Sequence, residues 1–181
     1  MIGVLGAADL PIPEKANCHP AASNTSPDRS KPDPRPFYGL ICDGVHVHPN
    51  SIRIAYYSHP TGAVLVTDTL SAMGLPKGDY VLGGCEIEVD EKGGAYLKGT
   101  KTLAGSTITI DECIRNFQKF TNCPLVEAIE AATLHPARLL GIDKQKGTLN
   151  VGGDADFVFL DDSTGEIRVK RVFVAGDEVT L

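Results

Sequence analysis

The sequence contains no apolar run near the roughly 18 residues that a membrane-spanning helix requires, which excludes such a helix. It also has no excess of positive charge. Lys and Arg total 17 against 23 Asp and Glu, a formal net charge of -6. The basic stripe that usually marks a nucleic-acid binder is absent. An anionic small molecule remains compatible with this balance, because one or two local cations or a helix N-terminus can hold a phosphate. No Cys-x-x-Cys occurs, and five cysteines cannot all pair, so neither a disulfide framework nor a Cys-rich zinc site is expected. Cys42, Cys85 and Cys113 sit in apolar or alternating stretches and are expected as small buried hydrophobes. That usage suits a reducing, cytoplasmic setting. Met1 to Gly6 carries neither a basic segment nor a long apolar one, so a secretory signal is not expected.

What is present suits one domain, or one domain with an appendage, at 181 residues. Apolar residues make up 42% and charged residues 22%, enough apolar content to build a core and to exclude bulk disorder. After a short apolar start over 1–10, the composition changes sharply. Seven of the twelve prolines fall between Pro11 and Pro36, and this stretch is expected as a surface loop or disordered insert.

Regular patterning begins at Phe37. Phe37–Cys42 (FYGLIC) predicts a buried strand, Pro49 to Tyr57 a helix with Ile52, Ala55 and Tyr56 on one face, and Ala63–Val66 (AVLV) a second buried strand. Continuous apolar strands separated by a helix argue for a parallel α/β unit. Glu86–Asp90 alternates and is expected to pair with Ala95–Leu97 across a Gly-containing turn. Ile110, Cys113, Ile114 and Phe117 fall at helical spacing behind a Thr109-x-x-Glu112 capping box. A further helix is expected from Pro124 to Leu134 with Leu125, Ala128, Ile129 and Ala132 inward, interrupted or restarted at His135-Pro136. Two strands close the chain, near Ala155–Leu160 and Ile167–Val174.

Three stretches could carry chemistry. Asp43-Gly44-Val45-His46-Val47-His48 follows the first buried strand, where catalytic groups of parallel α/β proteins gather. An extended chain would point His46 and His48 to one face, a pair able to chelate zinc; the competing reading is a turn with solvated histidines, since two ligands do not complete a site. Asp68 ends the second buried strand, where a carboxylate can act as general base or simply cap a turn. Gly99 to Ser106 places small residues before a helix, either a connector or a place where a ligand approaches the backbone. It is not a phosphate-binding Walker loop, because the glycine spacing is wrong. His135 is expected as a structural helix-end residue, and His19 and His59 lack visible partners.

The order of these signals carries more than any one of them. FYGLICDGVHVHP, LVTDTLSAMGL, GTKTLAGS, ATLHPARLLGI and KGTLNVGGDADFVFLDD occur in sequence between Phe37 and Asp162. From Phe37 to Leu181 the chain resembles the C-terminal half of the N-acetylglucosamine-6-phosphate deacetylase family, within the amidohydrolase superfamily. The resemblance implies a metal-bearing (β/α)8 barrel of TIM type with a small β-sandwich built from both chain ends. Residues 1–10 would be a remnant of a barrel segment, 11–36 the insert, 37–149 the C-terminal part of the barrel and 150–181 strands of the small domain.

For the site, the resemblance implies that Asp43, Gly44, Val45 and His46 line the aminosugar site, with His46 on the sugar. Asp68 would be the catalytic acid/base. Leu103, Ala104 and Gly105 would meet substrate by backbone approach; the family usually has Ser where this chain has Ala104. The family's divalent metal, zinc, is held by one Glu and two His on strands upstream of Met1, as are the carbonyl and phosphate contacts, including an Arg from a neighbouring subunit of a homodimer. His46 and His48 are therefore not the superfamily's early ligand pair, standing only 20 residues before Asp68 (68 minus 48). A complete barrel takes about 250 residues, so a truncated form is expected, inactive alone and prone to aggregate or to need a partner. The expected reaction is hydrolysis of N-acetylglucosamine 6-phosphate to glucosamine 6-phosphate and acetate. A catalytically inactive isoform and an amidohydrolase for another N-acyl substrate are the alternatives.

Overall fold

A computed structural model describes residues 35–91, 93–163 and 165–180. The expectations for 1–10 and for nearly all of the Pro-rich stretch lie outside the described residues.

Strand β1 (Tyr38–Ile41), helix α1 (Pro49–Ser58), a single 3-10 turn (Pro60–Gly62) and strand β2 (Ala63–Val66) form the expected unit. The two strands run parallel, with Leu40 opposite Leu65 and Ile41 opposite Val66. α1 begins at Pro49 because His48 caps it: the His48 Nδ1 accepts the Asn50 N–H at 3.1 Å. Ile52 and Tyr56 are its buried face.

A second sheet follows, wholly antiparallel and in chain order: β3 (Gly78–Leu82), β4 (Cys85–Val89), β5 (Gly94–Leu97) and β6 (Leu103–Ser106). The β4–β5 pair was legible in the sequence; β3 and β6 were not. LAGS is a poor strand former in isolation, and it becomes a strand because it pairs with β5, Ala95 opposite Gly105. Of residues 99–106, expected either as a connector or as a place of ligand approach, Leu103–Ser106 is therefore strand. Cys85 is a correction as well. It opens β4 beside the Gly83-Gly84 turn and is exposed, because a hairpin tip has nothing to pack against.

Helix α2 (Ile110–Thr121) carries the expected capping box, the Thr109 N–H donating to Glu112 Oε2 at 3.0 Å. Cys113, Ile114 and Phe117 are buried, but Ile110 is exposed. Ile108, just before the cap, takes the core position instead and joins Cys113 in one cluster, as a hydrophobic staple does. The helix expected over 124–134 is two short ones, α3 (Leu125–Glu130) and α4 (Leu134–Leu139). Pro136 lies in the first turn of α4, where it needs no donor, so the chain restarts there. The tail forms β7 (Phe157–Asp161), β8 (Arg168–Val174) and a short β9 (Asp177–Val179), all antiparallel.

The main core lies between the parallel strands and helices α1 to α3, with Leu40, Ile52, Leu65, Phe117 and Ala128 at its centre. A smaller one, of Ala72, Ile87, Val89 and Ala95, sits under the second sheet. The site lies where the two meet.

Candidate active site

Cys42 is the first residue beyond β1, and its carbonyl accepts the Asn116 Nδ2–H from α2 at 2.8 Å. This bond anchors the chain just before it turns. Asp43 then makes the turn: its Oδ1 accepts the N–H groups of both Val45 and His46 at 2.9 Å. Gly44 supplies the positive φ of 79° that the turn requires. The loop is thus curled, so the turn alternative holds and the extended chain that a same-face His pair would need does not form. His48 is spent on capping α1, while His46 faces the other way.

The second oxygen of Asp43 meets His46 Nδ1 at 2.6 Å. The other ring nitrogen, Nε2, lies 3.3 Å from Asp68 Oδ2. Asp43 is only 3% exposed and His46 17%, whereas Asp68 is 55% exposed. The three form a line from a buried carboxylate, through an imidazole, to a carboxylate that opens to solvent at the end of β2. With Asp43 an acceptor at every bond, Nδ1 carries a proton. Nε2 faces Asp68, so the one imidazole touches both carboxylates. Such a line holds the Asp68 carboxylate beside the imidazole.

Asp68 itself adopts a left-handed backbone, φ 49°, uncommon for a residue with a side chain. Its carbonyl accepts the Ser106 N–H at 2.9 Å. β6 therefore reaches the site through Gly105 and Ser106, while Leu103 and Ala104 stand half-buried on the same strand. Ser106 and Asn116 escaped the sequence reading. Both are polar residues flanked by core positions, and only their partners reveal their use.

Nearby thiols are not nucleophiles. Burial pushes the Cys113 thiol up to about 11 and raises Cys42 as well, so both stay protonated near neutrality. Among the described residues no group of three or more His, Cys, Asp or Glu is placed to hold a metal ion. His135, expected as structural, is buried and its Nδ1 lies 2.8 Å from the Ala63 carbonyl, tying α4 to the start of β2. His59 is also buried, at the end of α1, where its carbonyl accepts the Tyr38 hydroxyl at 2.9 Å. No helix among the described residues is long and apolar enough to cross a membrane.

In parallel α/β barrels catalytic groups gather at the C-terminal ends of strands, and Asp68 stands just beyond the end of β2. Comparison with known proteins gives the class: residues 29–179 match the Amidohydrolase family, and the chain belongs to it. It is 51% identical over 143 residues to the N-acetylglucosamine-6-phosphate deacetylase of Homo sapiens, covering 79% of this chain and 34% of that protein. It is 48% identical over 152 residues to the same-named protein of Danio rerio, covering 84% and 37%. The crystal structure of N-acetylglucosamine-6-phosphate deacetylase from Thermotoga maritima superposes with a TM-score of 0.69 at 35% identity, over 77% of this chain and 37% of that one. The chain thus spans about a third of the length of these relatives from Homo sapiens and Danio rerio.

Proposed function

We propose that the protein containing this chain hydrolyses N-acetylglucosamine 6-phosphate to glucosamine 6-phosphate and acetate, with Asp68 as general acid/base. The observation that carries the reading is the Asp43–His46–Asp68 line, which presents one half-exposed carboxylate at the end of β2. Its support outside the geometry is the similarity to proteins named for this deacetylation.

In this reading β1 and β2 are the last two strands of a TIM-type barrel, and the sheet of β3 to β6 is an excursion that follows the catalytic carboxylate. Residues 150–181 belong to the small β-domain. The cation of the enzyme, zinc, is held by residues other than those described. Asp68 takes a proton from the attacking water and returns it to the amide nitrogen as the C–N bond breaks, which converts a poor leaving group into a neutral amine. His46 keeps the carboxylate aimed during both transfers and presents its ring edge to the sugar. Asp43, nearly sealed from solvent, acts beneath Gly44, Val45 and His46 to hold the wall of the aminosugar site. Leu103, Ala104 and Gly105 border the substrate through their backbone. The intact form is a homodimer of the reducing cytoplasm, a setting supported by the free thiols of Cys42, Cys113 and Cys123.

The test is release of acetate from N-acetylglucosamine 6-phosphate by the protein containing this chain, supplied with zinc. Stoichiometric acetate and free amine support the reading. Turnover confined to other N-acyl compounds, or none at all, refutes it.

A further inference from the structure

We infer that Ser106 is a positioning residue that fixes the catalytic carboxylate of Asp68, an assignment that rests on the acid/base reading above. Beyond Val66 the chain leaves β2, and residues 67–70 have no place in a regular ladder. Their backbone docks on one residue. Ser106 Oγ donates to the Thr67 carbonyl at 2.5 Å. The Ser106 N–H donates to the Asp68 carbonyl at 2.9 Å, and the Ser106 carbonyl accepts the Leu70 N–H at 2.9 Å. Thr69 and Ser106 form an isolated parallel bridge.

Ser106 is fully buried, and its hydroxyl also lies 3.4 Å from Thr69 Oγ1 and accepts the Ile108 N–H at 3.4 Å, so its loss would leave buried polar groups unpaired. Gly105 makes the approach possible. A Cβ there would lie 3.0 Å from the Asp68 carbonyl and 2.9 Å from Leu70 Cγ. Backbone therefore packs directly on backbone beneath the carboxylate. The left-handed turn at Asp68 is an unfavourable conformation for a side-chain-bearing residue, and it persists because bonds on either side over-determine it. Together these bonds set the 3.3 Å approach of Asp68 Oδ2 to His46.

Ser106→Ala removes the hydroxyl and Ser106→Thr keeps it. Two readouts separate positioning from mere folding. In the protein containing this chain, amide hydrogen exchange at Leu70 and at position 106 accelerates at least about tenfold in Ser106→Ala, as local loosening does, while Leu65 and Phe117 keep their protection. In the deacetylation assay, kcat falls about tenfold to a hundredfold with KM within about twofold, the signature of a misplaced reacting group. Ser106→Thr recovers most of both. Unchanged exchange at Leu70, equal loss of protection at Phe117, or a kcat within about twofold of wild type alongside an inactive Asp68→Asn each overturns the assignment. Turnover retained by Asp68→Asn defeats the acid/base reading instead, and Ser106 then stands or falls on the exchange result.

Discussion

The parallel pair β1–β2 and the C-terminal sheet β7–β9 both carry Val, Leu and aromatic side chains, the latter with charged residues between them, yet they end in opposite states. AVLV of β2 is buried almost throughout, whereas Val158, Phe159, Val174 and Val179 of the C-terminal sheet are all exposed. The difference lies in what covers them. α1 to α3 bury the parallel pair, with Phe117 against Tyr56 edge-on at 5.5 Å. The C-terminal sheet joins that core through Ile167 and Leu160 and otherwise covers itself. Arg171 lies over the rings of Phe159 and Phe173, held by two bonds to Glu178 at 2.7 Å. Strand composition thus tells that a sheet forms; the helices laid on it decide whether it becomes a core.

The largest expected contrast comes from cutting an aromatic ring out of each region. Phe117→Ala leaves a sealed cavity and is expected to cost about 3–5 kcal/mol in urea unfolding. Phe159→Ala, at a site 49% exposed, is expected to cost under about 1.5 kcal/mol. Equal losses would break the comparison. Next in size is Tyr56→Phe, which deletes the 2.5 Å bond from Tyr56 to Glu127 that joins α1 to α3. Because its acceptor is a carboxylate, the loss is expected at roughly 1.5–3 kcal/mol, again by denaturant titration. Thr109→Ala removes the capping box of α2 and is expected to lower stability by about 1 kcal/mol, with the melting of β7–β9 unmoved.

The smallest effect is a difference in pH response. Burial holds the His135 imidazole below its ordinary value, so the unfolded chain binds its proton first on acidification. The stability due to His135 is complete above about pH 6.5 and is lost as pH falls through its lower folded value. Asp161 in β7 is held down to about 2 by the Ser163 backbone N–H and by Lys170. Its contribution is complete above about pH 4 and disappears only as pH falls through about 2. Titration from pH 7 to 5 is therefore expected to loosen the parallel core first, and His135→Gln to flatten that slope. A C-terminal sheet that melts first over this range would contradict the assignment.

Much of this was legible in residue order. β1, α1, β2 and the α2 capping box follow from apolar period and end signals, because each is decided within a dozen neighbouring residues. Asp68 stood out as a carboxylate at the end of a buried strand. Less visible were β3, β6 and β9, which become strands only by pairing. Gly99 to Ser106 offered a run of small residues and no hint that Ser106 bonds a segment 39 positions earlier. Likewise the His46-Val47-His48 spacing left a ligand pair and a turn both open, and the turn closed by Asp43 separates His46, between two carboxylates, from His48, a helix cap. A long-range partner settled Ser106, whereas at His46 and His48 the deciding bonds come from residues two or three positions away.

The most direct test is Asp68→Asn in the protein containing this chain, with substrate binding and turnover measured side by side. If Asp68 carries the proton, affinity for N-acetylglucosamine 6-phosphate stays within about threefold while kcat falls by about a thousandfold or more, in line with loss of a general acid/base. Turnover near that of the unaltered protein would contradict the central claim.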